Sequence, residues 1–155
     1  MLSIHLKRAQ LSDAEAMHSM QVRAFTPLYE KYRDTAISPA CETIDRVREK
    51  IATGRYYFIL LGDIAVGGIR VTLPAAPNRR KGISPLFILA EYQNRGFAQQ
   101  AVAAVEALHG ETNWRLDTIL EEPGNCHLYE KLGYHRVGEP ARVRPNMTIV
   151  DYEKG

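Results

Sequence analysis

The chain has 155 residues, 45% hydrophobic and 25% charged, which is typical of one soluble globular domain spanning residues 1–155. Its 20 lysines and arginines nearly balance its 18 acidic residues, so the charge does not indicate a nucleic-acid partner. No apolar run approaches the roughly 20 residues that span a bilayer, so no membrane association is predicted. Cys41 and Cys126 have no metal-ligand spacing and predict neither a metal site nor a disulfide framework, and a reducing cytoplasm is the expected location.

The first half of the sequence predicts a strand, two helices and a hairpin. Residues 4–9 alternate as in a strand, and the helix that follows is expected to end or kink at Pro27. Helical spacing returns in residues 41–53. Residues 56–61 and 64–73 then predict paired strands. The dipeptide Gly67-Gly68 in mid-strand indicates a bulge or a close approach by another backbone.

The most informative stretch is a buried strand, a polar turn and an amphipathic helix, over residues 86–110. Leu86 to Leu89 is nearly all apolar, as in a strand covered on both faces. A helix follows the turn at Gly96 and stops at Gly110. The unpaired N–H groups at the start of that helix, together with its dipole, predict a site for an anion such as phosphate.

The last third of the sequence predicts a strand, a short helix and two more strands. Residues 112–120 alternate as a strand, Asn125 is expected to cap a helix, and residues 134–138 and 143–152 are strand-like. The order of all these elements indicates an α/β domain with a mixed sheet and helices on both faces.

Two segments resemble the GCN5-related N-acetyltransferases, the GNAT family. Gln93-x-x-Gly96-x-Ala98 resembles the family's pyrophosphate-binding signature Gln/Arg-x-x-Gly-x-Gly/Ala. One strand later, Leu128 to Tyr134 resembles its Leu-Tyr-Glu-Lys-x-Gly-Phe/Tyr segment. The resemblance covers essentially the whole chain and implies the single-domain acyl-CoA N-acyltransferase fold, with a mixed, mostly antiparallel central sheet.

The resemblance implies that acetyl-CoA is the co-substrate and that Tyr129 protonates the departing CoA thiolate. The alternative for Tyr129 is a purely structural aromatic side chain in the core. The residues implied in binding acetyl-CoA are Phe87, Ile88, Leu89, Gln93, Asn94, Arg95, Gly96, Phe97, Ala98 and Gln99. The first three would pair with the pantetheine arm through their backbone, and the N–H groups of residues 94–99 would hold the pyrophosphate.

The general base and the acceptor site are less clearly marked. An attacking amine must lose a proton, and Asp117 and Glu122 are the carboxylates favoured as its acceptor. In the resembled fold the acceptor site is built largely by the N-terminal helices and the segment before the last strands. Tyr29, Tyr32 and Asp34 supply aromatic walls and charge there, which suits a small amine that bears another polar group.

The sequence therefore predicts an N-acetyltransferase that transfers an acetyl group to the primary amine of a small molecule, by direct attack of the amine on the thioester. Two alternatives stay open: an acetyltransferase for protein or peptide amines, and a sensor that binds acyl-CoA without turnover. A nucleotide or dinucleotide binder is disfavoured, because the sequence has no GxGxxG and no Walker lysine. Dimers are common in the resembled family, so the resemblance allows a homodimer.

Overall fold

The computed structural model describes residues 2–74, 76–77 and 79–155. The strands are β1 (His5–Arg8), β2 (Arg55–Leu61), β3 (Ile64–Thr72), β4 (Lys81–Ile88), β5 (Trp114–Ile119), β6 (His135–Arg144) and β7 (Met147–Lys154). The α-helices are α1 (Ala14–Tyr32), α2 (Ile44–Thr53), α3 (Phe97–His109) and α4 (Pro123–Lys131). Within the described residues, the strands form one sheet in the order β1-β2-β3-β4-β5-β7-β6. Among the strand pairs of the described chain, β4 with β5 is the one parallel pair, so the prediction of a mixed, mostly antiparallel sheet is confirmed.

Helices cover both faces of the sheet, as predicted. The core under α1 and α2 consists of Ala9, Ala14, Met17, Val47, Ile51, Tyr56, Phe58 and Phe87. The core under α3 and α4 includes Ile59, Val66, Ile69, Val71, Ile88, Phe97, Ala101, Val102, Val105, Trp114, Leu116, Tyr129, Tyr134, Val150 and Tyr152. Adjacent strand residues alternate between these two cores, because side chains of a strand point alternately to opposite faces.

Helix α1 continues through Pro27 as far as Tyr32. The prediction that the helix ends or kinks at Pro27 is therefore wrong about the helix ending there. Proline removes one helical hydrogen bond, at a cost of about 3 kcal/mol in a helix interior. Tertiary contacts hold the last turn nevertheless, because Tyr32 is buried and donates a hydrogen bond to Glu122. The helix ends at Arg33, whose left-handed backbone (φ 53°) lets its N–H reach the carbonyl of Tyr29 at 2.7 Å.

Strands β4 and β6 are longer than the sequence predicts. Strand β4 begins at Lys81 instead of Leu86, and β6 continues to Arg144 instead of ending at Gly138. Polar residues and a proline interrupt the apolar pattern in both segments. Their antiparallel partners β3 and β7 extend them by backbone pairing, which depends on no side-chain pattern.

Helix α4 begins three residues earlier than predicted, since its N-cap is Glu122 instead of Asn125. Pro123 is its first residue, where the missing N–H costs nothing, and Glu122 occupies the N-cap position. Asn125 therefore lies inside the helix and does not cap it.

Gly67 and Gly68 in β3 allow β4 to lie very close, as predicted. A Cβ at Gly67 would collide with the backbone carbonyl oxygen of Phe87, and one at Gly68 would lie 2.7 Å from the Phe87 ring. The two glycines thereby let Phe87 pack over β3 against Met17 of α1. This contact sets the position of the end of β4.

Strands β4 and β5 pair only at their beginnings. The register pairs are Lys81 with Trp114 and Gly82 with Arg115, and the described residues show no later pair. Beyond Gly82 the strands separate, so the edge of β4 that faces β5 offers unpaired N–H and C=O groups as far as Ile88.

Two further observations apply to the described part of the chain. It contains no helix that is both long enough and apolar enough to cross a membrane. It also contains no group of three or more His, Cys, Asp or Glu side chains arranged to hold a metal ion.

Candidate active site

The turn between β4 and α3 is closed by a side chain and by two left-handed residues. Gln93 donates from Nε2 to the carbonyl oxygen of Ile88 at 2.9 Å, which ties the turn to the end of β4. Asn94 (φ 63°) and Gly96 (φ 80°) adopt the left-handed conformation that asparagine and glycine tolerate best. Helix α3 starts directly afterwards, at Phe97.

The start of α3 presents a row of free backbone donors. The first bond into the helix runs from the Gln100 N–H to the carbonyl of Gly96, at 3.1 Å. Within the described residues, the N–H groups of residues 94–99 have no hydrogen-bond acceptor. Six such donors at the positive end of a helix dipole suit a pyrophosphate, so the predicted turn has the donors its role requires.

The residues predicted to hold the pantetheine arm lie at the open edge of β4. On the other edge, Phe87 and Ile88 pair with β3, and the Leu89 N–H donates to the carbonyl of Val66 at 2.8 Å. The side chains of all three residues are buried. They therefore offer a ligand only their backbone, on the side where β5 has separated.

Tyr129 belongs to α4, and its side chain is buried in the core between that helix and the sheet. Its ring packs against the rings of Tyr134 and Tyr152, at centroid distances of 5.9 and 6.2 Å. Within the described residues, the hydroxyl makes no hydrogen bond. Burial raises the pKa of Tyr129, and the charge of Asp117 raises it further. The phenol therefore stays protonated at neutral pH and is available as a donor.

Asp117 lies on β5 and points to the sheet face opposite that of its neighbour Leu116. Its strand partner on β7 is Asp151, and both line a small hollow of about 130 Å³. Desolvation raises the pKa of Asp117, the charge of Asp151 raises it further, and Arg115 opposes the shift. The carboxylate is thus a stronger base than an ordinary aspartate.

Glu122 is the N-cap residue of α4, shortly after β5, and contacts the end of α1. Its Oε2 atom accepts hydrogen bonds from the hydroxyl of Tyr32 at 2.5 Å and from Nζ of Lys31 at 2.7 Å. Burial raises the pKa of Tyr32, and its bond to Glu122 raises it further. Tyr32, predicted to bind the substrate, and Glu122, predicted to be catalytic, are therefore hydrogen-bonded to each other in the structure.

Tyr29 and Asp34 lie near the same end of α1, but within the described residues neither forms a hydrogen bond with Glu122. The Tyr29 hydroxyl bonds Oγ1 of Thr35 at 3.0 Å. Asp34 has a buried carboxylate oxygen, Oδ1, with no hydrogen-bond partner in the described chain.

A groove that the sequence did not predict lies between α1 and the turn after β4. Its volume is about 410 Å³, and it is lined by Val22, Arg23, Thr26, Pro27, Leu89, Ala90 and Glu91. Arg23, Pro27 and Lys31 recur every four residues and so form one row of α1. That spacing could have indicated a continuous helix face, but the prediction that the helix ends or kinks at Pro27 argued against one.

Comparisons with known structures match this fold along nearly the full chain. An acetyltransferase from Thermus thermophilus is 20% identical, with a TM-score of 0.71 and coverage of 97% of this chain and 96% of that one. The PaiA N-acetyltransferase of Thermoplasma acidophilum, solved with coenzyme A, is 14% identical (TM-score 0.75, coverage 99% and 100%). AAC(6')-Ib, solved with ribostamycin and coenzyme A, is 17% identical (TM-score 0.74, coverage 98% and 93%).

At these identities the likeness concerns the fold, and among curated proteins none is significantly similar to this sequence. A sequence model of the acetyltransferase (GNAT) family, however, matches residues 14–134, which is most of the chain. The match includes both the turn after β4 and the Tyr129 segment. This chain therefore belongs to the GNAT family of acetyltransferases, with acetyl-CoA as its co-substrate.

Proposed function

We propose that this protein transfers the acetyl group of acetyl-CoA to a primary amine of a small molecule, by direct attack of the amine on the thioester. One observation carries the proposal. The free N–H groups of residues 94–99 and the unpaired edge of β4 lie along one gap in the sheet, and Glu122 follows the strand on the gap's other side.

The donor is held mainly by backbone groups in this proposal. The residues assigned to it are Phe87, Ile88, Leu89, Gln93, Asn94, Arg95, Gly96, Phe97, Ala98 and Gln99. When bound, acetyl-CoA supplies an activated acyl group in its thioester. Turn side chains other than those of Gln93, Asn94 and Gly96, which shape the backbone, can vary without loss of binding, because the pyrophosphate contacts come from main-chain N–H groups.

Two proton transfers complete the reaction, and this chain has a group for each. Tyr129, whose hydroxyl stays protonated and unengaged, donates a proton to the departing sulfur. Asp117 accepts the proton of the amine, because its raised pKa makes it a stronger base than an ordinary aspartate. Glu122 lies between α1 and the end of β5, and we assign it to the entry of the amine.

The acceptor in this proposal is a small polar amine that enters beside the end of α1. Tyr29 and Tyr32 supply aromatic surface there, and Asp34 supplies a buried oxygen without a partner in the described chain. The groove along α1, of about 410 Å³, has a volume within the usual range of small-molecule sites. Spermidine and ribostamycin, named for structural neighbours of this chain, are therefore suitable first acceptors to test.

We further propose that residues 1–155 form a single domain and that the protein works in the cytoplasm. Within the described residues, one sheet contains both β1, at one edge, and β7, the last strand, so it includes strands from both ends of the chain. Cys41 is an exposed free thiol, which fits a reducing compartment.

The test begins with thermal unfolding in acetyl-CoA, CoA, ATP and NAD, each added separately. A ligand at 100 times its Kd stabilises the fold by about 2.7 kcal/mol, so the two CoA species should raise Tm and NAD should not. Thiol release is then followed with spermidine, ribostamycin and a lysine-containing peptide. A Tm shift without thiol release from any amine would favour the sensor, and release with the peptide alone would favour a protein substrate.

Two glycine variants form a matched pair for this test. Gly96 and Gly62 both have positive φ angles, of 80° and 62°, and an added Cβ at either position would have no other atom within 4 Å. Gly96→Ala and Gly62→Ala should therefore destabilise the fold by similar amounts. Only Gly96→Ala should also weaken the Tm response to CoA, and equal responses in both variants would contradict the assigned pyrophosphate site.

A further inference from the structure

Helix α1 spans the open end of the gap between β4 and β5, with an ion pair at each side. Arg23 pairs with Glu91 just after β4, at 3.2 Å, and Lys31 pairs with Glu122 just after β5, at 2.7 Å. Arg23 and Lys31 are eight residues apart on one row, or about 12 Å along the helix. The groove described above lies at the Arg23 end of this row.

The two ion pairs differ in how their carboxylates are held. In the Arg23–Glu91 pair both side chains are more than half exposed, at 59% and 52%. In the other pair Lys31 is 55% exposed but Glu122 only 23%. The buried Tyr32 also donates to Glu122 from beneath. Glu122 is therefore a recessed carboxylate, and an ammonium group reaches it from solvent.

The neighbouring Glu121 differs from Glu122, because both of its carboxylate oxygens already accept hydrogen bonds. Glu121 accepts hydrogen bonds from the backbone N–H and the hydroxyl of Thr148, at 2.7 and 2.9 Å, so both of its oxygens are used. In Glu122 both donors share Oε2, and within the described residues Oε1 has no hydrogen-bond partner. One oxygen thus stays available while the other already binds an alkylammonium.

We propose that the Glu122 carboxylate is the ammonium subsite for the acceptor and that Lys31 is its built-in competitor. Lys31 is itself a primary alkylammonium on a flexible stem, and it occupies the position that a substrate ammonium takes. An acceptor binds by displacing the Lys31 side chain into solvent. This inference rests on the proposed function for the reaction that follows, but binding at the subsite needs no acetyl-CoA.

Removing the competitor should strengthen amine binding by a modest factor. Exposed ion pairs are weak, so Lys31→Met should lower KM for an amine about two- to fivefold. The kcat should stay the same, because Lys31 does not take part in the proton transfers proposed above. Glu122→Gln should raise KM. The control is Arg48→Met on α2, which also removes one positive charge and breaks an ion pair, that of Arg48 with Asp45 at 2.7 Å.

A direct test observes Lys31 in the absence of acetyl-CoA. Lysines are reductively methylated with ¹³C-formaldehyde, which keeps their charge, and the Lys31 signal is assigned by its loss in Lys31→Met. Added n-butylammonium chloride should move this signal toward its position in Glu122→Gln, and tetramethylammonium chloride at equal concentration should not. A Lys31 signal that n-butylammonium leaves unmoved, or that both salts move equally, would overturn the proposal.

Kinetics with n-butylamine separate this proposal from the proposed function. Movement of the Lys31 signal, with no thiol release from n-butylamine, spermidine or ribostamycin in any variant, would reject the acetyltransferase on small amines and leave the subsite standing. Thiol release with the same KM in Lys31→Met and the wild type would reject the competitor and leave the acetyltransferase standing.

Discussion

Tyr129→Phe is the most informative single change, because it removes one hydroxyl and leaves the packing in place. The ring would keep its contacts with Tyr134 and Tyr152, at 5.9 and 6.2 Å between centroids. The hydroxyl makes no hydrogen bond within the described residues, so its loss leaves no partner unsatisfied there. Stability should therefore change by less than about 0.5 kcal/mol.

Activity should change far more than stability. A positioned general acid contributes about 10²- to 10⁴-fold to a reaction rate, so kcat of Tyr129→Phe should fall at least about 100-fold. Affinity for CoA should stay the same, since the proposed CoA contacts lie in the backbone of β4 and α3. The assays are thiol release for kcat, calorimetric titration for CoA affinity, and urea unfolding for stability.

Tyr152→Phe is the matched control in the same aromatic cluster. The Tyr152 hydroxyl donates to Oε2 of Glu130 at 2.7 Å, and loss of a bond to a charged group costs about 1.5–3 kcal/mol. This variant should lose stability and keep its kcat. A Tyr129→Phe enzyme that keeps kcat within threefold, or that loses as much stability as Tyr152→Phe, would refute the reasoning and make Tyr129 a structural aromatic.

Three further changes test the fold and the proposed base. Gly67→Ala places a methyl group against the backbone oxygen of Phe87, so it should cost about 1–3 kcal/mol in urea unfolding and weaken the Tm response to CoA. Tyr56→Phe removes the hydroxyl that donates a hydrogen bond to the buried Oε1 of Gln21 at 2.7 Å. It should lower the free energy of unfolding by about 1–3 kcal/mol in the same assay. With Asp117 as base, kcat/KM should rise with pH through its raised pKa, and Asp117→Asn should abolish that rise in a pH profile.

Each of these expectations has a contradicting outcome. Wild-type stability in Gly67→Ala would mean that β3 and β4 are not packed as closely as described. A loss below about 0.5 kcal/mol in Tyr56→Phe would mean that water or another group satisfies Gln21. If Asp117→Asn keeps the same acidic limb in its profile, another group accepts the proton.

The sequence alone determined the segment that holds the proposed pyrophosphate site. Its strand, its turn at Gly96 and its helix depend on local preferences: an apolar run, a residue free to adopt positive φ, and helical spacing. The close approach at Gly67 and Gly68 was equally readable, because only glycine leaves room for another backbone.

Only the tertiary structure determined which residues meet beside β5, where the end of α1 contacts Glu122. Local preference predicted that α1 would stop or bend at Pro27, yet the helix continues because Tyr32 is buried against Glu122, 90 residues away in sequence. The ion pair of Lys31 with Glu122 follows from that continuation. No spacing within either segment encodes such a contact, because it exists only when the sheet brings β5 beside α1. The proposed acetyl-CoA site could therefore be predicted from local sequence, whereas the proposed amine site depends on contacts that form only in the folded chain.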